Sequence, residues 1–343
     1  NINKQETMHL RIRKNKGEEI RKKLIEEDAL DARMEVERDD RYLYFPLKRD
    51  IRYPDAQIVD RIGVVKDRRP KSLKESLKST LSADELGYVP SSFDIIGDVA
   101  ILEIPTELEC KKDTIARSLL KTFKNINVVA AKETRVSSEY RIRQVKVIAG
   151  EHRTKTLHRE HGCIYKLDVG SAYFSPRLSA ERLRVAKKVK KDERVLIMFA
   201  GVGPYAVIIA KKNNPKEVVA VELNPDAVEY MRENVSLNKV DVEVIEGDVR
   251  VETPKLGRFN RIIMPLPKDA GDFLDVALPA LKEDGVIHFY DFSPSREQSV
   301  KKVRSLTEKK GYGIKVLDAV KCGSYSPTIN RICVDFRVTD YRA

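Results

Sequence analysis

The chain has 343 residues, 41% of them hydrophobic and 34% charged, with 65 Lys and Arg against 53 Asp and Glu and a net charge of +12. That length exceeds one ordinary core, and the apolar fraction excludes wholesale disorder, so two or three domains are expected. No apolar run reaches the roughly 20 residues that cross a bilayer, and the basic balance suits a polyanionic partner as well as it suits a merely solvated surface.

Residues 1–65 read as a small α+β domain, with helical spacing at Ile20, Leu24 and Ile25 and a short strand over 42–47. The basic stretch that opens with Lys66-Asp67-Arg68-Arg69-Pro70-Lys71 reads as a linker over 66–88. A second α+β domain is expected over 89–168: one buried strand within 93–104, a helix over 113–123, a strand over 127–131 and a half-exposed basic strand over 140–148. From residue 169 strands and helices alternate. Strands are expected at 195–199, 218–221, 242–245, 261–264 and 286–291, and helices at 205–212, 225–238 and 273–281. Such alternation predicts an open, mostly parallel sheet, and 314–319 and 331–337 add two strands, the last closing an edge antiparallel.

The four cysteines (Cys110, Cys163, Cys322, Cys333) show no paired spacing, and the five histidines form no His-Glu-x-x-His pattern. Reduced, buried cysteines in a cytoplasmic protein without a metal are therefore expected. The polar first residues give no sign of a secretory signal.

The run 195–199 leads into Ala200-Gly201-Val202-Gly203-Pro204-Tyr205-Ala206. A glycine turn after the first strand of such a sheet lets backbone approach a nucleotide closely, yet alone it fits a dinucleotide fold equally well. Glu222 ends the second strand about 20 residues on, where a carboxylate can accept from both ribose hydroxyls. Asn224-Pro225 then opens a helix, with Asn as cap and Pro at its first position. Asp248, in Gly247-Asp248-Val249, ends the third strand where an adenine amino group could donate to it. A dinucleotide fold has no standing use for that second acid, so a nicotinamide oxidoreductase is disfavoured. The fourth strand ends in Met264-Pro265-Leu266-Pro267-Lys268, whose two prolines make a stiff wall.

Five segments occur together in one order: Tyr173-Phe174-Ser175-Pro176-Arg177, Phe199-Ala200-Gly201-Val202-Gly203-Pro204, Glu222-Leu223-Asn224-Pro225-Asp226-Ala227, Asn234-Val235-Ser236-Leu237-Asn238-Lys239 and Gly247-Asp248-Val249-Arg250. With the approach segment Gly150-Glu151-His152-Arg153 to Gly162, they resemble the archaeal and eukaryotic tRNA (guanine-37, N1) methyltransferase family. The resemblance implies a class I (Rossmann-like) methyltransferase domain over 169–343 behind two smaller α+β domains. It implies S-adenosyl-L-methionine as donor, held by Phe199, Gly201, Val202, Gly203, Glu222, Asp248 and Val249. tRNA would be the partner, its outer corner checked by residues 1–65 and its guanine extruded from the anticodon loop, by a monomer. Glu181 would be the general base, Arg141 would hold O6, and Tyr173, Arg177, Pro267 and Arg143 would shape the nucleotide pocket.

Two positions depart from the family pattern. Ile197 stands where an acid is common, which shifts donor binding onto Glu222, Asp248 and backbone groups. Pro265 stands where the family has Asn, as in relatives resembling dual-specificity enzymes that also methylate a wyosine precursor at C7. A non-catalytic RNA-binding protein on the same scaffold is the other class of reading. The basic alternation at 141–146 and the run Lys187-Lys188-Val189-Lys190-Lys191 would serve it equally, but the retained Glu181, Glu222 and Asp248 argue against it.

Overall fold

A computed structural model describes residues 4–65, 70, 72–136, 143–266 and 268–341, with backbone alone at 134–136, 143 and 341. Contacts divide the chain into two units, Asn1–Lys71 and Ser72–Ala343.

In the first unit the strand Lys4–Arg13 pairs antiparallel with both Tyr42–Pro46 and Gln57–Val64. The helix Gly17–Glu26 buries Ile20 and Leu24 in one cluster with Leu10, Ile12 and Phe45. Helix and strand 42–46 match expectation. The strands Lys4–Arg13 and Gln57–Val64 were not foreseen, because charged side chains interrupt their alternation.

The second unit opens with short helices at Leu73–Ser76 and Ala83–Tyr88, the latter started by a capping box between Ser82 and Glu85. Leu73, Leu77 and Leu81 are buried with Ile115 and Leu119, so residues 73–88, expected as linker, belong to this domain's core. The sheet runs in the order Asp94–Ile96, Val99–Leu102, Val128–Val136, Arg143–Gly150, beside the helix Lys112–Thr122. The single strand expected within 93–104 is a hairpin. Gly97 turns it at φ +60°, where a Cβ would collide with Thr156 Oγ1.

An antiparallel ribbon, Lys155–Glu160 with Cys163–Asp168, comes next. It buries Cys163, Tyr165 and Leu167 in the core of the C-terminal body, so that body starts before residue 169. Among the described residues the ribbon's outer edge has no strand partner. Asn238 accepts from Ile164 N–H and donates to its C=O (2.9 and 2.6 Å), and Asn234 does the same for Lys166 (2.7 and 3.0 Å).

The C-terminal body contains α1 (Ser179–Lys188), β1 (Arg194–Met198), α2 (Pro204–Asn213), β2 (Glu217–Glu222), α3 (Pro225–Asn238), β3 (Glu243–Glu246), β4 (Phe259–Met264), β5 (Leu281–Ser293), α4 (Arg296–Lys309), β6 (Tyr312–Ser324) and β7 (Asn330–Tyr341). The sheet order is β3-β2-β1-β4-β5-β7-β6. The first five strands run parallel, and β7 is antiparallel to β5 and β6. β1 explains its unbroken apolar run: Val195 and Ile197 enter one core layer, Leu196 and Met198 the other. Ile197 is thus a core residue with no exposure. β7 does not close the edge as expected. It inserts between β5 and β6, and β6 is the edge. The helix expected at 273–281 is a 3-10 turn, Ala270–Phe273, with one helical turn, Leu274–Ala277, because Leu281 already opens β5.

Candidate active site

β1 ends in a turn of left-handed residues: Phe199 at φ +55°, Gly201 at +57° and Gly203 at +84°. For a bulky residue that conformation costs of order 1–3 kcal/mol and persists only when the surroundings enforce it. Phe199 is held edge-on against Phe273, centroids 4.8 Å apart. Gly203 caps α2 and leads into Pro204; a Cβ there would stand 2.7 Å from Met231 Cγ, so α3 packs directly on the turn. Val202 is buried, and its C=O accepts from Asn234 Nδ2 at 3.0 Å.

Glu222 ends β2 beside this turn. Its Oε2 accepts from Gly201 N–H (2.7 Å), and Oε1 accepts from Leu223 and Asn224 N–H (2.9 Å each). A carboxylate offers about four acceptor positions, so the three amides fix its orientation and leave room on Oε2 for one hydroxyl rather than two. Asn224 caps α3 through Asp226 N–H (3.1 Å), and its Nδ2 donates to Ser171 C=O (2.8 Å), tying the 171–175 loop to the site.

Asp248 caps the turn Val249–Glu252, with buried Val249 behind it. Its Oδ1 accepts from the Arg250 N–H (2.8 Å) and Nε (3.2 Å). Partial burial pushes the carboxyl up, and these Arg250 donors outweigh it, so it titrates below its ordinary value. Both bonds fall on Oδ1. The site therefore has a backbone cradle at 199–203 with a carboxylate at each of two successive strand ends, Glu222 and Asp248.

Glu181 lies in the first turn of α1 and is 5% exposed, so it is no surface acid. Arg184 donates to both its oxygens (2.7 and 2.8 Å), and Tyr290 O–H donates to Oε1 (2.7 Å). Tyr290 shares a hydrogen bond with Tyr205 in α2 (2.7 Å), and that contact joins Glu181 to the helix after the glycine turn. Arg184 and Lys188 also bond Asp335 on β7, each at 2.7 Å, and Asp335 meets His288 Nδ1 at 2.6 Å. Burial opposes the Asp335 anion, but His288, Arg184 and Lys188 hold its carboxyl well below its ordinary value. His288, Cys333 and Asp335 bring donor atoms within 4.8 Å of one another. The cations already on Asp335 make that group part of an ion-pair network.

Tyr173 is 54% exposed in the 171–175 loop, and its backbone oxygen lies 3.6 Å from the place a Cβ would take on Gly201. Arg177 points elsewhere, with Nε 2.6 Å from Asp94 of the preceding domain. Pro265 leaves β4 half-buried. Arg141 and Pro267 lie outside the described residues, as does the side chain of Arg143, whose backbone pairs with Val136. Sequence reasoning missed Arg184, Tyr290, His288 and Asp335. Only Arg184 carries a local signal, an acid–base pair three residues apart on one helix.

The sheet order, the glycine turn and the two strand-end acids define a class I methyltransferase whose donor is S-adenosylmethionine. Residues 156–316 match the TRM5/TYW2 methyltransferase domain, 73–154 the TYW2 N-terminal domain and 10–54 the tRNA methyltransferase 5 N-terminal domain. The chain is 39% identical to the tRNA (guanine(37)-N(1))-methyltransferase Trm5b of Pyrococcus abyssi, covering 97% of this chain and 99% of that protein. It is 31% identical to the tRNA (guanine(37)-N(1))/4-demethylwyosine(37)-methyltransferase Taw22 of Nanoarchaeum equitans, over 70% of this chain and 98% of the relative. The solved complex of aTrm5 with tRNALeu superposes with a TM-score of 0.81 at 32% identity, over 97% of this chain and 100% of the other. The chain belongs to the TRM5/TYW2 methyltransferase family.

Proposed function

We infer that this protein is a tRNA methyltransferase that places a methyl group on N1 of guanine 37, beside the anticodon. The observation that carries the reading is the donor cradle: the 199–203 turn with Glu222 and Asp248 at successive strand ends. When bound, S-adenosylmethionine supplies an electrophilic methyl group. Phe199, Gly201, Val202, Gly203, Glu222, Asp248 and Val249 would hold it.

Guanine N1 carries a proton and is stacked in the loop, so the base must be extruded and deprotonated. Glu181 takes that proton, Arg141 meets the charge that builds on O6, and Tyr173, Arg143 and Pro267 border the base, which Arg177 reaches only by leaving its Asp94 partner. Glu181 already accepts three hydrogen bonds in the structure. Tyr290 and Arg184 aim it, and one of those bonds yields when it takes the proton.

Residues 1–65 check the outer corner of folded tRNA, and the enzyme works as a cytoplasmic monomer. No helix among the described residues is long and apolar enough to cross a membrane. A second activity at C7 of 4-demethylwyosine is favoured by Pro265, which puts no side-chain amide beside the base, and by the likeness to Taw22. The test is methylation of unmodified and precursor-bearing tRNA followed by nucleoside mass analysis. Absence of 1-methylguanosine from the first would overturn the principal reading.

A further inference from the structure

The hairpin formed by β6 and β7 carries a surface that the donor site does not use. Tyr325, 61% exposed, sits at its turn with its ring against Phe292 of β5, centroids 4.4 Å apart. The turn is held by Tyr325 and Ser326 N–H donating to Ile329 C=O (2.8 and 3.1 Å) and by Ile329 N–H donating to Ser326 Oγ (3.1 Å). Arg331, at the start of β7, lays its guanidinium over the Phe292 ring, 5.3 Å from the centroid, and its Nη2 donates to Tyr173 O–H at 3.2 Å. Tyr173 in turn adjoins Gly201 through its backbone. Contacts thus pass without a gap from the donor turn to the hairpin tip through three aromatic rings and one guanidinium.

Extruding a base from a loop removes the stacking partner of its neighbours. Proteins that hold unpaired nucleotides return that stacking on aromatic rings and on guanidinium planes, set in positive surroundings. Arg331 supplies the charge here. Stacking of this kind tolerates any base.

We propose that Tyr325, Phe292 and Arg331 form a stacking surface for an unpaired nucleotide flanking the target guanine in the anticodon loop. The proposal rests on the reading that Tyr173 borders the pocket of that guanine.

The test is a binding cycle with the full chain and tRNA transcript. Tyr325→Ala should weaken tRNA binding by about 5- to 150-fold, the range for losing one base–aromatic stack. Tyr325→Phe, which keeps the ring, should bind like wild type, and unchanged donor affinity in both variants reports an intact fold. Transcripts abasic on either side of the target guanine supply the other half of the cycle. One of the two should weaken binding to wild type and weaken it no further for Tyr325→Ala. Wild-type affinity in Tyr325→Ala, or additive losses with both abasic transcripts, would overturn the proposal. Because the cycle reads binding, it is independent of turnover; failure of wild type to form 1-methylguanosine would count against the proposed function instead.

Discussion

Arg184 on α1 lies 2.7 Å from Asp335 on β7 while its guanidinium also grips Glu181 at 2.7 and 2.8 Å. Two buried carboxylates thus divide one cation. With Asp335 holding Arg184, charge on Glu181 can change without leaving that guanidinium unpaired in the interior, where losing a partner costs about 3–5 kcal/mol.

Glu181→Gln should therefore fold normally, bind donor normally and slow single-turnover methylation by about 10²- to 10⁴-fold, the range for a lost general base. The defect should shrink as pH rises and hydroxide assists. Wild-type single-turnover rates across neutral pH would leave Glu181 a structural member of the network.

Asp248→Ala and Glu222→Ala should each weaken donor binding, measured by calorimetry, by about 1.5–3 kcal/mol, the worth of a charge-assisted hydrogen bond. Glu222→Ala should also lower the melting temperature, since it strips three amides of their acceptor. Unchanged donor affinity in both variants would remove the pocket assignment.

Glu160 and Arg182 form a buried bidentate pair, Nε–Oε1 2.6 Å and Nη2–Oε2 2.7 Å. Burial raises the Glu160 carboxyl, but His158 and Arg182 outweigh it and bring it down to about 2. A depressed carboxyl stabilises the fold fully above its unfolded value near 4.3 and loses that contribution as pH falls towards 2. Denaturant midpoints should fall between about pH 4.5 and 2, and Glu160→Gln should flatten that dependence while lowering stability at pH 7.

Pro265→Asn restores the amide common in the family. Guanine N1 methylation should persist or improve, while any C7 methylation of 4-demethylwyosine declines. Mass analysis of nucleosides from both tRNAs measures each product, and a C7 product that rises in the variant would contradict this role of Pro265.

The elements that build the donor cradle were legible because their signals are local. Asn224-Pro225 starts α3 and the expected span 225–238 is the observed one; the continuous apolar run of β1 and the glycines of 201–203 mark strand and turn. α4 went unseen since its buried stripe is only Ser299, Val303 and Thr307 within a charged helix. The hairpin at 96–99 was hidden because Ile95-Ile96 before the turn and Val-Ala-Ile-Leu after it read as one run. The Glu181 network escaped altogether: Arg184 and Asp335 are 151 positions apart, and only the insertion of β7 between β5 and β6 brings them together.

The paired amides of Asn234 and Asn238 have a consequence for solubility. A two-stranded ribbon ordinarily offers its free N–H and C=O groups to any passing strand, which invites edge-to-edge aggregation. Here the donor and acceptor of both Ile164 and Lys166 are occupied by side chains projecting from a helix, which no incoming strand can match in register. The same helix that packs against the glycine turn thus keeps the ribbon edge closed to other copies of the chain.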